Sequence, residues 1–424
     1  MHELIIINTF SKIMINSYSY YMVHDMFSIN PLLNELTGEQ AFALIAKARE
    51  VQKRKGIKVI SFGVGQPDFD TFPHIKEAAK KALDEGFTGY TEAAGIPELR
   101  KAIADYLNES YNAGVTERNI VVTTGAKTAI LLAIGAVASR ESEIIIPEPT
   151  YYAYSQAAKI FGAHPVFVPM EWSRERGFKI NIDKLIERVT PKTRAIVINN
   201  PNNPTGTVYD KRDVERLLEV ARENNIALIS DEVYERFVYN GSFTSIASFD
   251  DWLENGILIN SFSKTFSMTG WRLGYVVAHE RIIDRLVSLA VNTYSCAPSF
   301  VQKAGIAALK GDWTPVYEMI KEFKERRDLL YKLLSEIPGF EPNLPEGAFY
   351  MFPRIQGILR KASLSEEEFS DKLLEEAGVV VVPGTAFPDK AGKGYVRFSY
   401  ATSKQNIIEG VNRIKEFLEK NNYI

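Results

Sequence analysis

Seven short apolar runs, alternating with helical and turn segments, occupy the middle of the chain between residues 119 and 280. Each run is rich in β-forming residues and is bounded by Gly, Pro or Asn. The runs lie at residues 120–123, 143–146, 165–168, 195–198, 227–230, 256–259 and 274–277. Because strands that are apolar on both sides must be buried on both faces, the pattern predicts an α/β fold. Its mainly parallel seven-stranded sheet would be covered by helices on both faces.

The segments that flank these runs have a different character. Helices are predicted over residues 37–56, 73–85, 95–109, 316–335 and 403–420. Further strands are predicted near residues 58–62, 348–352, 379–382 and 395–398. We therefore expect a three-layer α/β/α large domain over residues 73–314 and a smaller α+β domain. The smaller domain would combine an N-terminal arm, residues 34–72, with residues 315–424, and residues 1–33 would form an extension.

The composition is that of a globular protein and excludes several classes of function. With 424 residues the chain is too long for one ordinary core, which favours two domains. The net charge of -3 provides no basic surface field for nucleic acid. The single cysteine, Cys296, excludes a disulfide within the chain and favours a reducing cytoplasm. The five histidines have no metal-ligand spacing, so no metal site is expected.

The start of the chain carries an apolar run, Leu4 to Ile7, that is too short to cross a membrane. A membrane-spanning helix needs roughly 20 apolar residues. A secretory signal needs a basic start and a small-residue cleavage site, and neither is clear here. We therefore expect a poorly ordered extension, no membrane anchor and a cytoplasmic protein.

Loops beyond the carboxyl ends of parallel strands are where ligands bind in such sheets. Residues 123–127, Thr-Thr-Gly-Ala-Lys, join a strand to a helix, and their small side chains would let backbone N–H groups meet a phosphate. A plain strand-to-helix turn is the alternative. Residues 199–206 hold four asparagines and two prolines at a strand end. They indicate a ligand-binding loop, with an ordinary Asn/Pro turn as the alternative.

Two further loops carry charged residues in apolar surroundings. Asp231 closes an apolar strand, so its carboxylate either is buried with a cationic or hydrogen-bonding partner or caps a helix. Lys264 lies among small hydroxyl residues in a stretch without amphipathic period, and Arg272 follows eight positions later between Trp and Leu. This arrangement is unlike the solvent-facing side of a helix and indicates a binding site.

Together, these segments resemble those of the fold-type I pyridoxal-phosphate (PLP) aminotransferases of class I/II. The resemblance rests on three motifs. The first motif, at 261–274, begins with Ser-Phe-Ser-Lys-Thr-Phe and ends with Gly-Trp-Arg-Leu-Gly. The other two are Asn-Pro-x-Asn-Pro-Thr-Gly at 200–206 and Asp-Glu-Val-Tyr at 231–234. The resemblance extends over about residues 34–421 and is closest to bacterial and archaeal aspartate or aromatic aminotransferases.

The resemblance implies PLP as the cofactor and assigns roles around its ring. Lys264 would hold the PLP aldehyde covalently and, once displaced by the substrate, would move the proton at the substrate Cα. Asp231 would pair with the pyridine nitrogen and keep it protonated. Asn203 and Tyr234 would hydrogen-bond the ring oxygen O3′, and Tyr151 would stack on the ring face. Read alone, Tyr151 is more typical of core packing.

A phosphate site follows from the same resemblance. The PLP phosphate would be bound by the backbone of Ala126 and Lys127, by Ser261 and by Arg272, whose planar fork suits phosphate oxygens. Tyr90 would reach the phosphate of a neighbouring subunit, which implies a homodimer. Read without the resemblance, this tyrosine too is more typical of core packing.

A carboxylate site is implied at Arg397, which would clamp the α-carboxylate of the substrate. Gly65 and Asn203 would lie beside the same carboxylate. An arginine in an otherwise apolar strand needs an anion, and a buried ion pair within the protein is the alternative.

These roles imply transamination by a ping-pong mechanism, in which one amino acid leaves as a 2-oxo acid before a second 2-oxo acid is aminated. Aspartate and 2-oxoglutarate are the first choice of substrates, and an aromatic or broad-specificity aminotransferase is the alternative. Val291 stands where some dicarboxylate-specific relatives carry an arginine. Phe42 would line the pocket mouth, which suits aromatic or apolar side chains.

Other functions stay open on the sequence alone. A PLP-dependent β-lyase would share every cofactor residue. A PLP-sensing transcription regulator would need a DNA-binding domain before the fold, and the preceding residues, about 35 in number, lack basic helix pairs. A structural protein without cofactor would lack Lys264 or Asp231, and both are present.

Overall fold

The structure of the chain is a computed structural model that describes residues 30–38, 40–388 and 390–424, without the side chains of residues 40–42. The chain divides into two units between residues 38 and 39. In the first unit, Pro31–Asn34 form a 3₁₀ turn, and Asn30 accepts a hydrogen bond from the amide of Leu32 at 3.1 Å. Most of the extension predicted over residues 1–33 lies outside the described residues, which begin at residue 30.

Strands in the second unit are short, and most of them follow the apolar runs of the sequence. They are β1 (Ile60–Ser61), β2 (Ile120–Thr123), β3 (Glu143–Glu148), β4 (His164–Pro169), β5 (Glu171–Ser173), β6 (Gly177–Lys179), β7 (Thr193–Asn199), β8 (Ala227–Asp231), β9 (Gly256–Ser261), β10 (Gly274–Val277), β11 (Tyr350–Met351), β12 (Val379–Val380), β13 (Val382–Pro383) and β14 (Val396–Ser399). All seven runs predicted in the central region are strands, and their observed ends differ from the predicted ones by at most two residues.

Helices fill the intervals between these strands. They are α1 (Gln40–Lys55), α2 (Pro73–Asp84), α3 (Pro97–Tyr111), α4 (Ala126–Val137), α5 (Ala153–Ile160), α6 (Ile182–Ile186), α7 (Lys211–Glu223), α8 (Phe262–Thr265), α9 (Glu280–Val291), α10 (Ser299–Lys310), α11 (Thr314–Ser335), α12 (Gln356–Ala362), α13 (Glu366–Ala377) and α14 (Lys404–Lys420). A proline lies in the first turn of α2, α3 and α11, where its missing N–H costs no helical hydrogen bond. Ser365 and Glu368 form a capping box that begins α13.

A seven-stranded sheet forms the centre of the second unit, in the order β2-β10-β9-β8-β7-β3-β4. Its strands are parallel except β10, which is antiparallel to both of its neighbours. The predicted fold class, an α/β protein with a mainly parallel seven-stranded sheet, is confirmed.

Both faces of this sheet are buried under helices. On β2, Val121 enters one apolar cluster, whereas Ile120 and Val122 enter another, because successive side chains of a strand point to opposite faces. The first cluster contains side chains of α4, α5 and α9, and the second contains side chains of α3, α7 and α10. Each fully buried Val, Leu or Ile contributes about 1.5–3 kcal/mol to folding. Helices thus cover the sheet as the three-layer prediction requires.

Smaller sheets form from the segments near the two ends of the second unit. β1 pairs in parallel with β12, and β11, β14 and β13 form an antiparallel sheet in that order. The single strand predicted over residues 379–382 is wrong, since β12 and β13 belong to different sheets. Their pairing partners come from distant parts of the sequence, which a local apolar run does not reveal. The strand predicted near residues 348–352 is shorter than expected and begins later, since Ala348 has a left-handed backbone with φ of 54° that an extended strand does not contain.

One edge of the large sheet gathers the loops that the sequence indicates as ligand-binding. Asn199 pairs with Asp231 where β7 and β8 end, and Gly274 pairs with Ser261 where β9 ends. Because β10 is antiparallel, it begins at the edge where its parallel neighbours finish. Arg272, just before β10, therefore reaches the same edge as the residues that follow β8 and β9.

Among the described residues, no helix is both long enough and apolar enough to cross a membrane. The predicted domain boundaries, after residues 33, 72 and 314, are not tested by these elements and stay predictions.

Candidate active site

A cavity of about 470 Å³ opens at this edge of the sheet. Its wall contains predicted site residues from distant parts of the sequence, namely Gly65, Ala126, Lys127, Tyr151, Asn203, Asp231, Tyr234, Ser261, Lys264, Arg272 and Arg397. Tyr90 is the predicted site residue that does not line this cavity, and its side chain is 92% exposed. The fold therefore brings together residues that the sequence places in four separate loops and three further segments.

The N-terminus of α4 forms one end of the cavity. Gly125 precedes this helix with φ of 91°, a value that favours glycine, and no side chain in the described part of the chain caps the helix. The first amides of a helix have no partners within the helix and carry the positive end of its dipole. This end of the cavity therefore attracts an anion.

Arg272 supplies a second positive group at the same end. Its backbone is left-handed, with φ of 56°, and its guanidinium donates to the carbonyl of Thr269 at 2.9 Å and of Thr124 at 3.3 Å. A Cβ on Gly125 would lie 2.5 Å from Nη2 of Arg272. Any side chain at position 125 would thus displace the guanidinium, and glycine leaves the room that it needs.

Asp231 places a buried carboxylate in the cavity wall. Its Oδ2 accepts a hydrogen bond from the hydroxyl of Tyr154 at 2.8 Å, and its Oδ1 accepts from the amide of Val233 at 3.3 Å. Burial raises the pKa of Asp231 to about 6, while these hydrogen bonds and the charge of Lys264 act in the opposite direction. A cation bound next to this carboxylate would be stabilised, because it offsets the cost of burying a negative charge.

Lys264 extends from the short helix α8 into the same cavity. Its Nζ donates to the carbonyl of Gly65 at 2.6 Å and lies 5.9 Å from the ring centre of Tyr234 and 5.8 Å from that of Phe349. A primary amine held between aromatic rings and a carbonyl, near a buried carboxylate, is well placed to react with a carbonyl compound.

The loop that carries Gly65 is itself fixed from two sides. Thr269 donates from its hydroxyl to Oε1 of Gln66 at 3.3 Å. Arg326 of α11 is buried and donates to carboxylate oxygens of Asp68 at 2.6 Å and of Glu322 at 2.9 Å. These contacts hold in place the carbonyl that accepts from Lys264.

Arg397 of β14 also lines the cavity and is only 5% exposed. Its Nη1 donates to Oδ1 of Asn203 at 3.0 Å, and its Nη2 donates to the carbonyl of Gly63 at 2.7 Å. Within the described residues its Nε has no hydrogen-bond partner and no carboxylate pairs with it. A buried guanidinium with an unsatisfied donor favours an anionic ligand over the alternative of an internal ion pair.

Tyr234 follows Asp231 by three positions and points its hydroxyl at that of Tyr350, 2.8 Å away. Burial raises the pKa of Tyr234 well above its ordinary value, so the phenol keeps its proton at neutral pH. It therefore remains available as a hydrogen-bond donor.

Three further predictions concern the rim and packing of the cavity. Tyr151 lines it, with its ring edge-on to that of Tyr154 at 6.0 Å between centres. The side chain of Phe42 lies outside the described part of the chain. Val291 ends α9 and is exposed.

Other residues of the cavity wall are not among the predicted ones. They include Tyr154, Tyr350, Asn199, Gln66 and Thr269. Asn199 accepts a hydrogen bond from the amide of Asn203 at 2.8 Å and so shapes the loop from within. A signal for Tyr154 exists in the sequence, since three tyrosines lie among the four residues 151–154, shortly after β3. Tyr350 has no such signal, because it lies in an apolar segment typical of a core strand.

Comparison with known proteins agrees with this geometry. The family model described as "Aminotransferase class I and II" matches residues 57–414. An aspartate aminotransferase of Sulfurisphaera tokodaii is 47% identical over 395 residues, which are 93% of this chain and 98% of that protein.

Two solved structures are similar as well. The aromatic aminotransferase from Pyrococcus horikoshii is 43% identical, with a TM-score of 0.82 over 88% of this chain and 100% of that one. The aspartate aminotransferase from Thermus thermophilus with maleate is 34% identical, with a TM-score of 0.86 over 93% of this chain and 100% of that one. The resemblance inferred from the motifs is therefore confirmed. This chain belongs to the class I and II aminotransferases and is a transaminase.

Proposed function

We propose that this enzyme uses PLP to move an amino group from aspartate to 2-oxoglutarate by a ping-pong mechanism. The proposal is carried by one observation: a primary amine, Lys264, shares a cavity with a buried carboxylate, Asp231, and an unsatisfied guanidinium, Arg397. The three groups match what the transfer needs, namely a covalent attachment for the cofactor, a charge partner for its ring and an anchor for the substrate.

The donors at the N-terminus of α4 fit the phosphate of PLP. Backbone amides of Ala126 and Lys127 would meet the phosphate oxygens, together with the hydroxyl of Ser261 and the guanidinium of Arg272. Hydrogen bonds from charged donors to phosphate are short and strong. The space that Gly125 leaves beside the guanidinium supports this assignment, because a side chain there would compete with the phosphate site.

The residues next to this end fit the ring of the cofactor. When bound, PLP supplies an aldehyde that reacts with amines and a ring that draws electrons away from the substrate Cα. Asp231 would keep a proton on the ring nitrogen, because its buried carboxylate gains most from an adjacent positive charge. Tyr234 and Asn203 would donate to the ring oxygen O3′, and Tyr151 would pack on the ring face. Asn203 already accepts through Oδ1, which leaves its amide nitrogen to donate.

The side of the cavity at Arg397 fits the α-carboxylate of the substrate. Its Nε has no hydrogen-bond partner among the described residues, and the nearby Asn203 and the loop of Gly65 complete the wall. With the carboxylate held there, Lys264 would take the proton from the substrate Cα and return it to the cofactor side. The amino acid would leave as a 2-oxo acid, and a second 2-oxo acid would then receive the amino group at the same place.

Aspartate is the first choice of amino donor, because the similar proteins of Sulfurisphaera tokodaii and Thermus thermophilus are aspartate aminotransferases. An aromatic or broad-specificity enzyme is the second candidate. It is supported by apolar and aromatic groups in the same wall, such as Ile45, Val64 and Tyr151, and by the similarity to an aromatic aminotransferase.

A panel of amino donors tests the choice of substrate. With purified enzyme, PLP and 2-oxoglutarate, we expect kcat/KM for aspartate to exceed that for phenylalanine and tyrosine by roughly tenfold or more. Initial rates with all twenty donors give the ranking. Faster aromatic donors would instead establish the second candidate. A donor incubated without an oxo acid should form no more than one product molecule per site, and continued release would point to a β-lyase.

We further propose that the enzyme is a homodimer in the cytoplasm. Tyr90 supports the dimer, since this large aromatic side chain is 92% exposed on a single chain, and a second copy would cover it. It would there reach the phosphate of the partner's cofactor. The single cysteine supports a reducing compartment. The division into a large domain over 73–314 and a smaller one from 34–72 and 315–424 is part of the same proposal.

The dimer is tested by its mass in solution. Sedimentation should give a particle of about twice 47.8 kDa. We expect Tyr90→Ala to keep this mass and to weaken PLP binding by at least about tenfold, the value of one lost hydrogen bond to a charged group. Tyr317→Ala is the matched control, because Tyr317 is also a largely exposed tyrosine, on α11, and should change neither property. A monomeric enzyme with full PLP affinity would contradict the proposal.

A further inference from the structure

Tyr350 contacts three of the proposed site residues but has no role in the reaction described so far. It lies on β11, is 1% exposed, and pairs with Ser399 of β14, which places it diagonally across from Arg397. We propose that Tyr350 is a positioning residue that couples the carboxylate clamp at Arg397 to the ring-oxygen donor Tyr234. This inference rests on the proposed function and adds a residue to it.

The first contact joins the hydroxyl groups of Tyr350 and Tyr234, which are 2.8 Å apart and buried. A phenol has one O–H to donate. When Tyr234 gives its O–H to the ring oxygen of the cofactor, its own oxygen accepts the O–H of Tyr350. Hydrogen bonds in such a chain polarise one another, so Tyr350 makes Tyr234 a stronger donor.

The second contact is between the ring of Tyr350 and the guanidinium of Arg397, whose centre lies 4.4 Å from the ring centre. The guanidinium is buried, so its attraction to the ring face is not screened by water. Its two terminal nitrogens are bound to Asn203 and Gly63. The ring of Tyr350 therefore helps to hold the guanidinium of Arg397 in the orientation in which it would bind a carboxylate.

The third contact is with the loop that holds Lys264. A Cβ built on Gly65 would overlap the hydroxyl oxygen of Tyr350, so backbone and hydroxyl are packed directly against each other. The carbonyl of Gly65 accepts from Nζ of Lys264 at 2.6 Å. Tyr350 is thus a common neighbour of groups that would bind the substrate, the ring oxygen and the reactive amine.

Two substitutions separate the hydroxyl from the ring. In Tyr350→Phe the ring stays under Arg397, so we expect KM for amino donor and oxo acid to stay within about twofold. The hydrogen bond to Tyr234 is lost. We therefore expect the pH midpoint of the absorbance change of lysine-bound PLP to rise by at least about half a unit, because a weaker donor stabilises the ring oxyanion less.

Tyr350→Leu removes the ring as well. Both substrates bind through the same carboxylate clamp, so we expect both KM values to rise by roughly tenfold. The midpoint should shift as in Tyr350→Phe. We thus expect Tyr350→Phe to change the pH midpoint alone and Tyr350→Leu to change the pH midpoint and both KM values. A role in packing alone would not separate these effects.

Tyr400→Phe is the matched control. Tyr400 is fully buried and donates from its hydroxyl to the carbonyl of Ala348 at 3.2 Å, outside the cavity wall. It should leave the midpoint and both KM values unchanged, and thermal unfolding of each variant verifies the fold. An unchanged midpoint in Tyr350→Phe, unchanged KM values in Tyr350→Leu, or equal effects in the control would overturn the proposal. A wild-type enzyme that binds no PLP would refute the proposed function itself, whatever the variants do.

Discussion

We expect Lys264→Ala to lower kcat/KM for transamination by at least about 10⁴-fold, because in the proposed mechanism this one side chain supplies both the covalent attachment and the proton transfer. The other amine in the cavity wall, on Lys127, lies toward Tyr152 at 3.0 Å and cannot take over this place. Initial rates with the best donor of the panel measure the loss. Borohydride reduction of the wild-type enzyme followed by peptide mapping should place the PLP label on Lys264.

Two further variants make the result specific. Lys264→Arg keeps the positive charge and most of the volume, but a guanidinium does not lose its proton near neutral pH, so the loss should equal that of alanine. Lys310→Ala removes an exposed lysine at the end of α10 and should keep full activity. Appreciable turnover of Lys264→Arg, or a label on any other lysine, would contradict the role of this amine.

Most of the large sheet could be predicted from the sequence because most of its strands, unlike the edge strand β4, are buried on both faces. Each strand then appears as a continuous apolar run, as in residues 256–259 of β9, and the bounds follow within two residues. The smaller sheets were harder to predict, since β12 and β13 form one run of valines but pair with different partners. Pairing over long sequence distances leaves no mark in a local pattern.

The same limit explains which site residues were predicted. Lys264 and Asp231 stand out because a charged residue in an apolar or small-residue segment is unusual. Tyr350 does not, because tyrosine is common in cores, and the cluster of tyrosines that marks Tyr154 does not reveal its partner, which is distant in the sequence. Tyr154 is 77 positions from the aspartate that it contacts, and Tyr350 is 116 positions from Tyr234. Their contributions come from a juxtaposition that only the folded chain creates.

Replacing Asp231 with alanine should lower kcat/KM by about 10³-fold while some PLP binding remains. The proposed phosphate contacts and Lys264 are untouched, so the cofactor would keep its anchors. The electron-withdrawing ring, however, would lose the proposed charge partner of its nitrogen. Asp231→Asn isolates this effect, since it keeps the shape and an acceptor for Tyr154 but removes the charge. Asparagine with near wild-type rates would show that the negative charge is not needed.

Glu232 provides the control, since it is the next residue and equally buried. Burial raises its pKa to about 8, and its oxygens accept hydrogen bonds from Ser230, Ser245 and the amide of Ile246. Glu232→Gln keeps the shape of a side chain that lies outside the cavity wall, so it should keep activity within about twofold. The loss of kcat/KM on substitution is thus expected to be hundreds of times larger at Asp231 than at Glu232, because only Asp231 lines the cavity.

The pH dependence distinguishes the two carboxyl groups as well. The pKa of Asp231 is raised to about 6, so its negative charge is present above that pH and is lost as the pH falls through it. A bound cation favours the charged form and moves this loss to lower pH. The wild-type enzyme and Glu232→Gln should therefore both lose kcat/KM on the acid side, below about pH 6. The residual activity of Asp231→Asn should lack this acid limb, because its amide has no proton to gain in that range. If Asp231→Asn lost kcat/KM at low pH as the wild-type enzyme does, the group that titrates would be another one. Asp231 would then not be the charge partner of the ring nitrogen.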